Sequence, residues 1–200
     1  MFPGDDISAL LPDHIKSLAD DLKKLPEGYP KWLYGGTPSP EIYQSDLIHD
    51  VRTYLVSEDG GVLSREGLVM VVSNTCDTQP DRRDFVLVAP VFPLQERIDS
   101  SGLNGEALRN HVTDLQQNRL SPIMYLPRQG DIPDSFVDFS HISAVSSEFF
   151  FSPWVNAIGK RVASLSQKGH YFFLMKLAYH FCRAETPDVR RTQGVADIVV

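Results

Sequence analysis

Cysteine is scarce in this 200-residue chain: only Cys76 and Cys182 occur, more than a hundred positions apart. Thiols so few and so distant do not make the disulfide framework of a small secreted domain, and a reducing cytoplasm is the expected location. Long apolar runs are missing too. None approaches the roughly 20 residues that span a bilayer, and the opening MFPGDDISALLPDH carries acids where a signal peptide carries positive charge, so no membrane association is expected. Basic residues are in deficit, with 19 Lys and Arg against 26 Asp and Glu for a net charge of −7. That excludes a general field drawing in a nucleic-acid backbone and leaves any such binding to a local basic groove. Internal repeats and low-complexity tracts are absent as well, which excludes solenoids and fibrous arrays.

What is present suits one domain with appendages. Hydrophobic residues make up 42% and charged residues 22%, and eleven Phe, seven Tyr and two Trp supply large core-filling side chains. Residues 1–43 read as an N-terminal helical arm and connector. Ile15, Leu18, Leu22 and Leu25 share one face of a helix that ends before Pro26, and residues 26–40 hold four Pro and three Gly around a packing segment, Trp32-Leu33-Tyr34. Residues 44–184 form the main domain, and residues 185–200 are a tail or an edge strand.

In the main domain the pattern turns to short β-type runs. LIHDVRTYLV and the turn Asp59-Gly60-Gly61 predict a hairpin, while LVMVVS (68–73) and FVLVAPVF (85–92) are the continuous β-branched runs of central strands. Leu108, Val112 and Leu115 predict a helix over 104–119, with Asn104 as a candidate cap, inserted before two further strands in SPIMYLP and SFVDFSHISAV. From Ser166 to about Ala184 the chain is apolar around most of a helical circumference, which predicts a long helix buried on more than one side. The fold class is therefore α+β with a mainly β core.

The densest candidate chemistry lies where the apolar strand releases the chain, at Ser73, Asn74, Thr75, Cys76 and Asp77. Strand exits often carry working residues, but Ser, Asn, Thr and Asp also bond their own backbone to fix turns, and both readings are open. Cys76 stands beside Asp77, whose carboxylate raises a thiol pKa, so a thiol-dependent enzyme would need a distant activating base, with His141, His170 and His180 as candidates. Zinc held by Cys76, Asp77, His180 and Cys182 is disfavoured, because helix positions two apart point about 200° from each other. No metal or cofactor is expected. Arg82, Arg83 and Arg128 would make a groove for single-stranded RNA if they met at one mouth of the domain, with Tyr125 or Phe92 stacking a base and Asn74 and Asp77 adding polar contacts; as separate charges they would only solubilise.

The order of elements resembles the MazF/PemK family of bacterial toxins. Four stretches carry the resemblance: Arg65 before LVMVVSN, that strand itself, its partner FVLVAPV, and SFVDFSHISAV before the last helix, together covering about residues 44–183. The resemblance implies a small, strongly bent barrel of five strands, Src-homology-like, with added helices. It also implies a cytoplasmic homodimer, a cognate antitoxin or other protein partner, and metal-independent cleavage of single-stranded RNA by an Arg before the second strand and a Ser or Thr after the third. Arg65 matches the first position, displaced by one residue. Phe92 stands at the second, so Ser73 or Thr75 is left to supply the hydroxyl beside Arg65. Two alternatives stay open: a non-catalytic module that docks a protein partner on the same barrel, and the thiol enzyme.

Overall fold

The computed structural model describes residues 29–35, 41–57, 59–80, 82–120, 122–153 and 155–182. The helix expected over residues 15–25 and the tail at 185–200 lie outside the described residues. The architecture is α+β, built on a seven-stranded, mostly antiparallel sheet in the order β4-β5-β3-β2-β1-β7, with β6 also pairing β3. The strands are β1 (Leu47–Val56), β2 (Val62–Val71), β3 (Phe85–Pro93), β4 (Ile123–Leu126), β5 (Ser135–Asp138), β6 (Ser143–Ser146) and β7 (Arg161–Ala163). Five α-helices accompany them among the described residues: α1 (Tyr29–Leu33), α2 (Leu94–Ser100), α3 (Gly105–Gln116), α4 (Ser147–Phe151) and α5 (Gln167–Cys182).

The continuous apolar runs have a direct structural reason. Val69 and Val71 of β2, with Val86 and Val88 of β3, face one apolar cluster, while Met70 and Val72, with Ala89 and Val91, face another. Alternate side chains point to opposite faces, so a strand covered on both sides must be apolar at every position. Ile48, Val51, Val145 and Phe150 also belong to the first cluster, and Met124, Val137, Phe139 and Phe173 belong to the second.

Seven strands stand where five were expected, and the ladders do not close into a barrel. Two local breaks explain part of the difference. SFVDFSHISAV is not one strand: a 3-10 turn over Phe139–His141, fixed by Asp138 accepting from the Ser140 N–H at 2.9 Å, divides it into β5 and β6. These pair different halves of β3, with Val91 opposite Val137 and Val86 opposite Val145. β1 carries a register shift between Ile48 and Val51, where Asp50 takes φ of 55°, so the strand bends. The hydroxyl of Ser143 in β6 then donates to the Tyr54 carbonyl of β1 at 3.2 Å.

The buried positions of the long terminal helix run from Gly169 to Lys176. Phe172 packs edge-on against Tyr29 and Trp32 of α1, and Phe173 packs against Phe139. Near its end Tyr179 and Phe181 are 60% and 65% exposed, so the expected burial on more than one side does not extend to the end of the helix. Ser166 caps its start, accepting the Gly169 N–H at 3.0 Å while donating to the Trp32 carbonyl. No helix among the described residues is long and apolar enough to cross a membrane.

Candidate nucleic-acid interface

The segment after β2 is held by its own polar side chains. Ser73 Oγ accepts the Leu87 N–H at 2.8 Å, Asn74 Oδ1 accepts the Cys76 N–H at 3.0 Å, and Thr75 Oγ1 accepts the Gln44 N–H at 3.1 Å. Asp77 accepts from Arg83 Nε at 2.9 Å, and Asn74 stands at the cap of a 3-10 turn over Thr75–Asp77. The turn-fixing reading thus describes what these groups do locally, as short polar side chains satisfy backbone donors that no ladder reaches. Their placement also builds a surface: Thr75, Cys76, Asp77, Arg82 and Arg83 line a cavity of about 600 Å³, and Ser73, Asp77 and Arg83 line a smaller one with Phe85 and Leu87.

Cys76 is exposed, and its thiol makes no hydrogen bond among the described residues. The three histidines are engaged elsewhere: His141 Nδ1 lies 2.9 Å from Asp138, His170 Nδ1 lies 3.2 Å from Ser45 Oγ, and His180 packs against Phe139 and Phe181. Burial lowers the His170 pKa from its ordinary value, which favours the neutral ring beside Ser45. Among the described residues no group of three or more His, Cys, Asp or Glu is placed to hold a metal.

Arg65 sits near the start of β2, opposite Thr53 of β1, whereas Ser73 and Thr75 follow the end of that strand. The eight positions from Arg65 to Ser73 correspond to roughly 26 Å of extended strand, so Arg65 does not share a site with either hydroxyl. It meets Phe92 instead. The guanidinium carbon lies 4.2 Å from the Phe92 ring centroid, and its two terminal nitrogens donate to Glu96 of α2 at 3.0 and 3.1 Å. Phe92 in turn stacks on Phe136 at 5.5 Å between centroids. The two positions that the family resemblance assigns to one site are in contact, but the partners are an aromatic ring and a carboxylate, neither of which replaces a hydroxyl.

The three groove arginines are not gathered at one mouth. Arg82 and Arg83 precede Phe85 at the start of β3. Arg128 follows β4, whose Leu126 pairs with Ser135, itself opposite Pro93 at the other end of β3. Tyr125 is 7% exposed, with its hydroxyl bonded to Asp134, and Phe92 lies under Arg65, so neither presents a free face to a base.

The outer face of the β3–β6 pair offers what those two rings do not. Phe85 is 57% exposed and Leu87 42% exposed, opposite Ser146 and Ala144 of β6. Beside Phe85, Arg82, Arg83, Ser147 and Glu148 line a cavity of about 560 Å³. Arg82 makes no ion pair or hydrogen bond through its side chain among the described residues, and Arg83 is 67% exposed. Phe85, Leu87, Ser147 and Glu148 escaped the sequence reading. In an unbroken apolar run no alternation tells which residues face outward, and only the flanking Arg82-Arg83 hinted at this end of the strand. Comparison with known protein families finds no family model that matches the chain, and no curated protein matches it.

Proposed function

We infer that the chain is a diverged MazF/PemK-like protein that binds single-stranded RNA, in a bacterial or phage toxin or defence setting, and does not cut it through the family's usual pair. The observation that carries this reading is the Arg65–Phe92 contact. Two residues assigned to one site by the resemblance alone touch each other from different elements. The bent β1 and the Ser143–Tyr54 contact support the related view that the sheet is an opened barrel of the Src-homology type. Cleavage needs a group that moves a proton; Phe92 has none, and Glu96 already neutralises Arg65.

Binding rests on another face. Arg82 and Arg83 supply positive charge next to Phe85 and Leu87, a combination of backbone attraction and stacking surface suited to unpaired nucleotides. Incubation with mixed-sequence RNA in EDTA is expected to give a mobility shift with the RNA intact, weakened in Phe85→Ala. Discrete fragments, or no shift at high protein concentration, would overturn the reading. A second reading, docking of a cognate antitoxin or other protein, is favoured by the exposed Tyr179 and Phe181 on α5. It predicts a specific partner that co-purifies with the protein and is lost in Tyr179→Ser/Phe181→Ser.

A further inference from the structure

The cavity beside Phe85 is lined by three charges that make no ion pair among the described residues: Arg82, Asp84 and Glu148. Arg82 lies on the loop before β3 and Glu148 in the first turn of α4; both line the cavity, and neither makes an ion pair with the other or with another described residue. Ser147, only 8% exposed, forms part of the same wall, and its hydroxyl has no hydrogen-bond partner among the described residues. The loop and the helix are held together by the Ser147 N–H donating to the Asp84 carbonyl at 2.9 Å, which fixes Glu148 relative to the arginine loop. At about 560 Å³ the space accommodates one nucleobase, with the Phe85 and Phe151 rings in its lining.

We propose that this cavity takes a single unstacked guanine of the bound strand, read by Glu148 on one edge and Arg82 on the next; the proposal rests on the RNA-binding reading above. Guanine presents two adjacent donors, N1–H and N2–H2, which match the two oxygens of a carboxylate. It presents two adjacent acceptors, O6 and N7, which match a guanidinium fork. Adenine sets an acceptor beside its N6 donor, cytosine does the same, and uracil flanks its one donor with acceptors, so each leaves a Glu148 oxygen facing a lone pair. Phe85 supplies the stacking face that unpaired bases need.

The test is fluorescence anisotropy with two labelled uridine-rich oligoribonucleotides that differ only in a central G or A, using the full chain. The G-containing strand is expected to bind about tenfold to a hundredfold more tightly. Glu148→Gln, an exposed change whose fold is checked by circular dichroism, should bring the two within a few-fold of each other, by weakening the G-containing strand and by removing the carboxylate that opposes the A-containing one. Equal affinity for both strands in the unmodified protein, or a G preference that survives Glu148→Gln, overturns the base site and leaves the RNA reading standing. Failure to bind either strand overturns both.

Discussion

Gly169→Ala is expected to destabilise the protein although alanine is the better helix former. Gly169 is the third residue of α5, and a Cβ built there would lie 2.2 Å from the Leu33 carbonyl oxygen and 3.1 Å from the Leu165 side chain. The first of these is backbone and cannot rotate away. To restore ordinary contact α1 would have to retreat by roughly 1 Å, yet its last residue is fastened to α5: Leu33 O accepts the Ser166 N–H at 2.8 Å, and Leu33 itself is fully buried. Tyr29, at the start of α1, donates to the Tyr125 carbonyl and is also buried. Replacing Gly in a helix interior gains about 1 kcal/mol of propensity. Overpacking of this kind costs about 1–3 kcal/mol, and loss of the Ser166–Leu33 bond about 1 kcal/mol more. The net expectation is a loss of about 2 kcal/mol, or a fall in Tm of roughly 4–8 °C for a chain of this size. Urea and thermal unfolding followed by circular dichroism measure it; a Tm equal to or above that of the unmodified protein refutes the claim that α1 and α5 dock through this contact.

Lys176 is buried with its ammonium donating to the carbonyls of Asn118 and Leu120, and burial pushes its pKa down to about 8. The folded chain therefore releases this proton at lower pH than the unfolded chain, whose lysine titrates near 10.5, so stability contributed by this group rises with pH between about 8 and 10.5. Relative to Lys176→Met, the unmodified protein should gain stability across that window in urea titrations, and a flat or falling difference would contradict it. Phe173→Ala, at a fully buried ring, is expected to cost about 3–5 kcal/mol, whereas Phe181→Ala, at a side chain 65% exposed, should stay within about 0.5 kcal/mol in the same assay. For Arg65 and Glu96, a double-mutant cycle with Arg65→Ala and Glu96→Ala should give a coupling of no more than about 1 kcal/mol, since both side chains are partly exposed at 37% and 51%. A much larger coupling would mean that the pair is a principal support of the fold.

The elements with the clearest periodicity were legible in the sequence. The hairpin strand Leu47–Val56 lies where LIHDVRTYLV placed it, β3 covers FVLVAPVF, and α3 begins immediately after Asn104, although the Asn104 side chain makes no cap bond. The division of SFVDFSHISAV was hidden, because the Asp138 side chain that bends it is indistinguishable in sequence from a solvent-facing strand residue. β7 was hidden for a different reason: three residues paired only to Leu47 and Ile48 leave no pattern of their own. At the candidate site Arg82 and Arg83 were visible as a doublet, but the groups that give them a cavity, Phe85 and Glu148, come together only through the pairing of β3 with β6. Arg128 looked equivalent to them by type and is separated from them by the length of β3, a distance that chain order does not reveal.

We propose that single-stranded RNA binds the Arg82–Leu87 surface. The most direct test is the affinity for a labelled single-stranded RNA, measured as a function of sodium chloride for the unmodified protein and for Arg82→Ala/Arg83→Ala. Measurable binding that weakens linearly in logarithmic salt is expected, with lower affinity and a shallower slope in the double variant. Affinity and slope unchanged by removal of both arginines, or no binding at low salt, would contradict it.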